Sequence, residues 1–130
     1  MQPLAAGVSY FDLNFQNRSR VIACAVLHGP GGVAIVDPGP SSTLPVLQQQ
    51  LAADGISLAD VTTILLTHIH LDHAGATGTL VRENPHLRVY VHEIGAPHMT
   101  DPGKLVASAT RLYGDAMDRF LVCDVSRDRM

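Results

Sequence analysis

Charge is scarce in this sequence: 16% of residues are charged, and Lys+Arg of 9 against Asp+Glu of 12 leaves a net −3. No basic block interrupts that balance, so the electrostatic footprint of a nucleic-acid binder is missing and nucleic acid is not expected as a partner. Long apolar runs are missing too. The longest, VIACAVL at 21–27, falls far below the roughly 20 residues that cross a bilayer, which excludes a membrane-spanning helix. The first seven residues, MQPLAAG, carry neither a basic region nor a long apolar one and do not read as a secretory signal. There are only two cysteines, Cys24 and Cys123, both in apolar surroundings without metal-type spacing, and they read as buried reduced thiols. These absences together imply a cytoplasmic protein. No Gly-x-Ser-x-Gly elbow occurs, which removes the usual support for a serine nucleophile.

What remains is a 130-residue chain, 46% hydrophobic, of a size and composition suited to one domain around one core. Strands are expected at 8–15, 21–27 and 33–36, separated by turns at Asn17-Arg18-Ser19 and His28-Gly29-Pro30-Gly31-Gly32. Three antiparallel strands in succession fit that pattern, with the Gly-rich turn joining a hairpin rather than cradling a phosphate. The third strand ends at Asp37-Pro38-Gly39-Pro40. A helix over 43–53 follows, capped by Ser41 or Ser42 and stopped by Gly55. The β-branched run 61–66 is a further strand, 74–83 a helix broken by Asn84-Pro85, and 87–91 another strand. Asp101 and Pro102 mark the start of a last helix running toward Phe120. A short strand is expected at 121–123 and a charged tail beyond it.

Seven histidines are present, and three of them fall with an aspartate inside the six residues His68 to His73. The run Thr67-His68-Ile69-His70-Leu71-Asp72-His73-Ala74-Gly75 leaves a buried strand at its C-terminal end. Residues i and i+2 of an extended segment face one side, so His68 and His70 can converge on one ion. A turn at Leu71-Asp72 can bring Asp72 and His73 to a second. Imidazole and carboxylate donors suit zinc, and also iron or manganese. Such a centre generates hydroxide near neutral pH, with Asp72 placed to orient the water and take its proton. The other histidines lack this company: His28 and His86 lie beside turns, and His92 and His98 are expected to pack or to hydrogen-bond within a connection.

The nine-residue run resembles the HxHxDH signature of the metallo-β-lactamase fold superfamily, especially its glyoxalase II-like thioester hydrolases. Ile35-Val36-Asp37-Pro38-Gly39 resembles that fold's first motif, an aspartate closing a strand about thirty residues earlier. The resemblance covers about 8–120. It implies an α/β fold, an αβ/βα sandwich of which this chain supplies the first half as a domain at 1–120, followed by a tail at 121–130. It further implies that His68 and His70 ligate one zinc ion and Asp72 and His73 a second, with Asp37 supporting them from behind. The implied reaction is attack of metal-bound hydroxide on a thioester, lactone or related ester, with Asp72 as the catalytic carboxylate.

In the family, the remaining ligands come from later in the chain. A first half alone would leave one sheet face uncovered and prone to self-association. The alternative to an active hydrolase is therefore a catalytically inactive metal-binding half-domain that associates with itself or a partner. An iron oxygenase or flavodiiron-type carrier on the same fold is a third reading, separated from the others by the identity of the metal.

Overall fold

A computed structural model describes residues 1–115 and 129–130. Cys123, the strand expected at 121–123, most of the tail and the end of the helix toward Phe120 lie outside the described residues.

Six strands form one sheet in sequence order: β1 (Gln2–Ala5), β2 (Val8–Asp12), β3 (Ala23–Gly29), β4 (Gly32–Val36), β5 (Val61–Leu65) and β6 (Arg88–Tyr90). The first four pair antiparallel, and β4, β5 and β6 run parallel. Parallel neighbours need a crossover, which helix α1 (Leu44–Ala53) supplies between β4 and β5. Helices α2 (Leu71–Ala74) and α3 (Thr77–Glu83) carry the chain from β5 to β6. After β6 come α4 (Ala96–Thr100) and α5 (Gly103–Tyr113).

Alternation along the strands decides the two faces. Val26, Ile35, Ile64 and Val89 are in register across four strands and buried, and they form the core with Leu47 and Leu51 of α1 and Leu80 and Val81 of α3. One residue further on, the register row Tyr10, Ala25, Val36, Leu65 and Tyr90 faces the other way and is only partly covered, with Tyr90 61% exposed. A one-residue step flips the face because the side-chain period of a strand is two.

Four local expectations need correction. Strand β1 was not expected, because Gln2–Ala5 is exposed throughout and contains Pro3, so it shows no alternation; proline is tolerated there because the strand is an edge. Neither Ser41 nor Ser42 caps α1. Ser41–Thr43 forms a short 3-10 turn instead, and the helix starts at Leu44 with Pro45 in its first turn, where the missing N–H needs no cap. The helix expected over 74–83 begins earlier and breaks, giving α2 and α3. At the break the Ala76 N–H donates to the Gly39 carbonyl (2.9 Å), outside the helix. The last helix also starts one residue later than expected, at Gly103 with Pro102 at the N-cap position, and Asp101 precedes it, its Oδ1 accepting the Gly103 N–H at 3.2 Å. The two-residue hairpin between β3 and β4 agrees with the Gly-rich turn, Gly29 pairing with Gly32.

Candidate metal centre

The parallel register of β4 and β5 builds the site. Val36 is opposite Leu65, so the residues that follow, Asp37 on one strand and the Thr67-His68 segment on the other, emerge side by side at the C-terminal edge. The backbone closes them together: the Asp37 N–H donates to the Leu65 carbonyl at 3.0 Å, and the Gly39 N–H to the His73 carbonyl at 2.9 Å. Gly39 has φ +86, and a Cβ there would meet Leu13 Cδ1 at 2.4 Å, so this close passage requires glycine.

Asp37 itself sits at φ 53, a left-handed conformation that aspartate tolerates better than most residues. The turn aims its buried carboxylate at Thr67. Oδ1 accepts the Thr67 N–H at 2.9 Å and Oδ2 accepts the Thr67 hydroxyl at 2.5 Å. That hydroxyl has one hydrogen, already given to the carboxylate, so its 2.8 Å contact with His68 Nδ1 requires the ring to donate. His68 is thereby held with its proton on Nδ1 and a lone pair on Nε2. Thr67 flanks the histidines in the sequence, but only the fold gives it this relay position.

His70, Asp72 and His73 are delivered by the tight turn of α2. The His68 ring lies 4.9 Å from that of His70 and 4.5 Å from that of His73, centroid to centroid. His73 stands between two carboxylates, Nδ1 at 3.3 Å from Asp37 Oδ2 and Nε2 at 3.4 Å from Asp72 Oδ2. Its Nδ1 is buried, and despite that approach no hydrogen bond satisfies it, because the geometry of the 3.3 Å contact is not that of a hydrogen bond. Leaving such an atom without a partner costs about 1–3 kcal/mol.

Among the described residues, two sets of donors lie within 4.8 Å of one another: Asp37, His68 and His73, and His68, His70 and Asp72. All the residues singled out in the sequence therefore meet in one place. Their grouping differs from the simple division into His68 with His70 and Asp72 with His73, since His68 belongs to both sets and Asp37 joins one. The orphaned His73 nitrogen and the nitrogen-and-carboxylate donor set fit a metal ion. His92 makes the kind of loop contact expected, its Nδ1 accepting the Ile94 N–H at 3.2 Å, and His28 and His86 are exposed.

The profile of the Metallo-beta-lactamase superfamily matches residues 18–127. The chain belongs to this superfamily. The Bacillus subtilis protein named "Probable metallo-hydrolase YqjP" is 33% identical over 70 residues, which are 52% of this chain and 21% of that protein. A Schizosaccharomyces pombe protein named "Probable hydroxyacylglutathione hydrolase glo2" is 43% identical over 58 residues, 44% of this chain and 22% of that one. The chain thus spans about a fifth of these curated relatives. Among solved structures, a metallo-beta-lactamase of Cronobacter sakazakii with a HARLDQ motif superposes with a TM-score of 0.65 at 28% identity, over 79% of this chain and 39% of that one. The six-stranded sheet with its helices is accordingly part of the superfamily's mixed α/β fold. No helix among the described residues is long and apolar enough to cross a membrane.

Two further features frame the centre. A cavity of about 600 Å³, lined in part by Tyr10, Asp12, Arg20 and Gln50, touches none of the candidate ligands. Cys24 is buried on β3, and its burial, with the negative charge of Asp37 adding to it, pushes the thiol up to about 12 against a weaker lowering by the Val36 backbone. Between the pKa of an unfolded cysteine, about 8.5, and 12 the native state keeps a proton that the unfolded chain has lost, so this residue's contribution lowers stability as pH rises across that window and is flat below it. At pH 8, iodoacetamide is expected to label Cys24 on the order of a thousandfold more slowly in the folded than in the unfolded chain, measured in a Cys123→Ser background. A native rate within tenfold of the unfolded one would contradict the protected thiol.

Proposed function

We propose that this chain forms the metal-holding part of a metal-dependent hydrolase acting on a thioester, lactone or related ester of a small molecule. The observation that carries this reading is the convergence of His68, His70, Asp72 and His73 with Asp37 at the C-terminal edge of β4 and β5, with the buried His73 Nδ1 left without a hydrogen bond. His68, His70, Asp72 and His73 are the proposed ligands of two zinc ions, with iron or manganese as the other metals suited to these donors. Asp37 is the proposed support, orienting Thr67 and through it His68. Bound metal supplies Lewis acidity, polarising the carbonyl and bringing deprotonation of water down to roughly pH 7.

The chain's own part is positioning and proton transfer. Asp72 has a side chain 41% exposed, beside the histidines and open to an incoming water. It takes the proton as the water oxygen bonds to the carbonyl carbon, and returns it to the thiolate or alkoxide when the C–S or C–O bond breaks. The relatives named as hydroxyacylglutathione hydrolases support a thioester first. The test is zinc reconstitution of the full chain, with metal counted by elemental analysis and thiol release followed from a hydroxyacyl thioester of glutathione and from simple acyl thioesters. Metal uptake with turnover supports the reading; metal uptake without turnover favours the inactive half-domain.

That second reading is favoured by the partly covered row Tyr10, Ala25, Val36, Leu65 and Tyr90, an apolar strip crossing the sheet from β2 to β6. A second copy of the chain packed on this face would bury it. Tyr90→Lys, at the most exposed position of the row, is expected to shift the mass seen by analytical ultracentrifugation from dimer to monomer. A wild-type chain that sediments as a monomer at about 100 μM would rule that association out.

A further inference from the structure

Beside the metal centre lies a cavity of about 300 Å³ whose walls come from two sources. His70 and Asp72 form one side, and α5 forms the other with Leu105, Ala109 and Leu112. The floor is a small apolar cluster where buried Leu71 and Ala109 pack with Phe15 and Leu105, and Phe15 joins it to the main core. Leu112 is 81% exposed at the cavity, so a large apolar side chain stands open next to candidate metal ligands. No lysine or arginine among the described residues lines this space.

Resting on the hydrolase reading, we propose that this cavity is the acyl pocket of the site and takes an unbranched apolar chain. Its two shared residues settle where the reacting group would lie: an ester carbonyl beside His70 and Asp72 leaves its acyl chain to run along α5. A charged peptide-like leaving group finds no cationic partner in this pocket, whereas methylenes find Leu71, Leu105, Ala109 and Leu112. The volume is about ten times the ~30 Å³ share of a water molecule in the liquid, enough for a chain on the order of eight carbons. The substrate class is therefore a medium-chain acyl ester or thioester, distinguished from short hydroxyacyl substrates by its length.

The test is calorimetric titration of the zinc-loaded full chain with straight-chain hydroxamates from acetohydroxamate to dodecanohydroxamate, whose head group chelates metal and whose tail probes the pocket. Affinity is expected to rise about threefold to fourfold per added methylene and to level off near eight carbons. Ser108, exposed on α5 and part of the cavity wall, offers a way to fill it: Ser108→Trp is expected to move the plateau to chains at least three carbons shorter. Acetohydroxamate binding with no dependence on tail length would overturn the pocket, and so would a plateau unmoved by Ser108→Trp. Failure of acetohydroxamate to bind would instead count against the metal reading. The pocket is then decided on the metal-free chain with 1-octanol, by the amide resonances of Leu105, Leu112 and Tyr113 and the methyl resonances of the two leucines. Shifts there that Ser108→Trp suppresses support the pocket, and their absence overturns it.

Discussion

Replacing His68 or His70 by alanine is expected to lower the affinity of one zinc ion by more than about a hundredfold while the second ion is affected far less. The single lone pair on His68 Nε2 serves one ion at a time, and His70 shares a donor set with it, so both variants strike the same ion. His68→Ala also removes an imidazole whose orientation Thr67 sets independently of metal. Competition with a chelator of known affinity, read together with metal counted per chain, distinguishes one site from two. Loss of both ions in His68→Ala, with only one lost in His70→Ala, would overturn this division of ligands. Circular dichroism should show both variants folded, since neither histidine belongs to the hydrophobic core.

The second large effect is expected at Asp37, where stability and metal binding can be pulled apart. Asp37→Ala removes the acceptor of both the Thr67 N–H and the Thr67 hydroxyl, and puts a Cβ-bearing residue without a compensating carboxylate at φ 53. An amide left without its partner costs about 1–3 kcal/mol. The left-handed backbone adds about 1–2 kcal/mol for alanine. The variant should therefore unfold in denaturant with a loss of about 3 kcal/mol, and lose about 10- to 100-fold in zinc affinity because His68 is no longer held. Asp37→Gly relieves the backbone part alone. It should recover stability relative to Asp37→Ala while binding zinc equally poorly. Zinc affinity at the wild-type level in Asp37→Ala would refute the supporting role, and equal stabilities of the Ala and Gly variants would refute the backbone account.

Much of this architecture was legible before the fold. The runs at 21–27, 33–36 and 61–66 are β-branched and bounded by turn residues, which is why β3, β4 and β5 match their expected places within two residues. Local chemistry also located the site, because His68, His70, Asp72 and His73 are neighbours in sequence and need only one tight turn to meet. Elements whose stability comes from elsewhere were not legible. Strand β1 is held by pairing with β2 and carries no pattern of its own, and the break between α2 and α3 exists because Ala76 donates to Gly39, 37 residues away in sequence. The cavity beside His70 and Asp72 is of the same kind, since α5 reads only as an amphipathic helix until its face is seen against them.

By itself, then, the sequence determined that the chain carries a cluster of nitrogen and carboxylate donors at the end of a buried strand, in an α/β domain with little charge. Side-chain type and short-range spacing suffice for that, since backbone periodicity relates neighbours along a chain. Tertiary structure alone decided that Asp37 meets Thr67 and His73, which are 30 and 36 residues further on, that Thr67 fixes the proton on His68, and that His73 Nδ1 is buried without a hydrogen bond. Those facts depend on the parallel register of β4 against β5, and register is set by which side chains the whole sheet can bury at once.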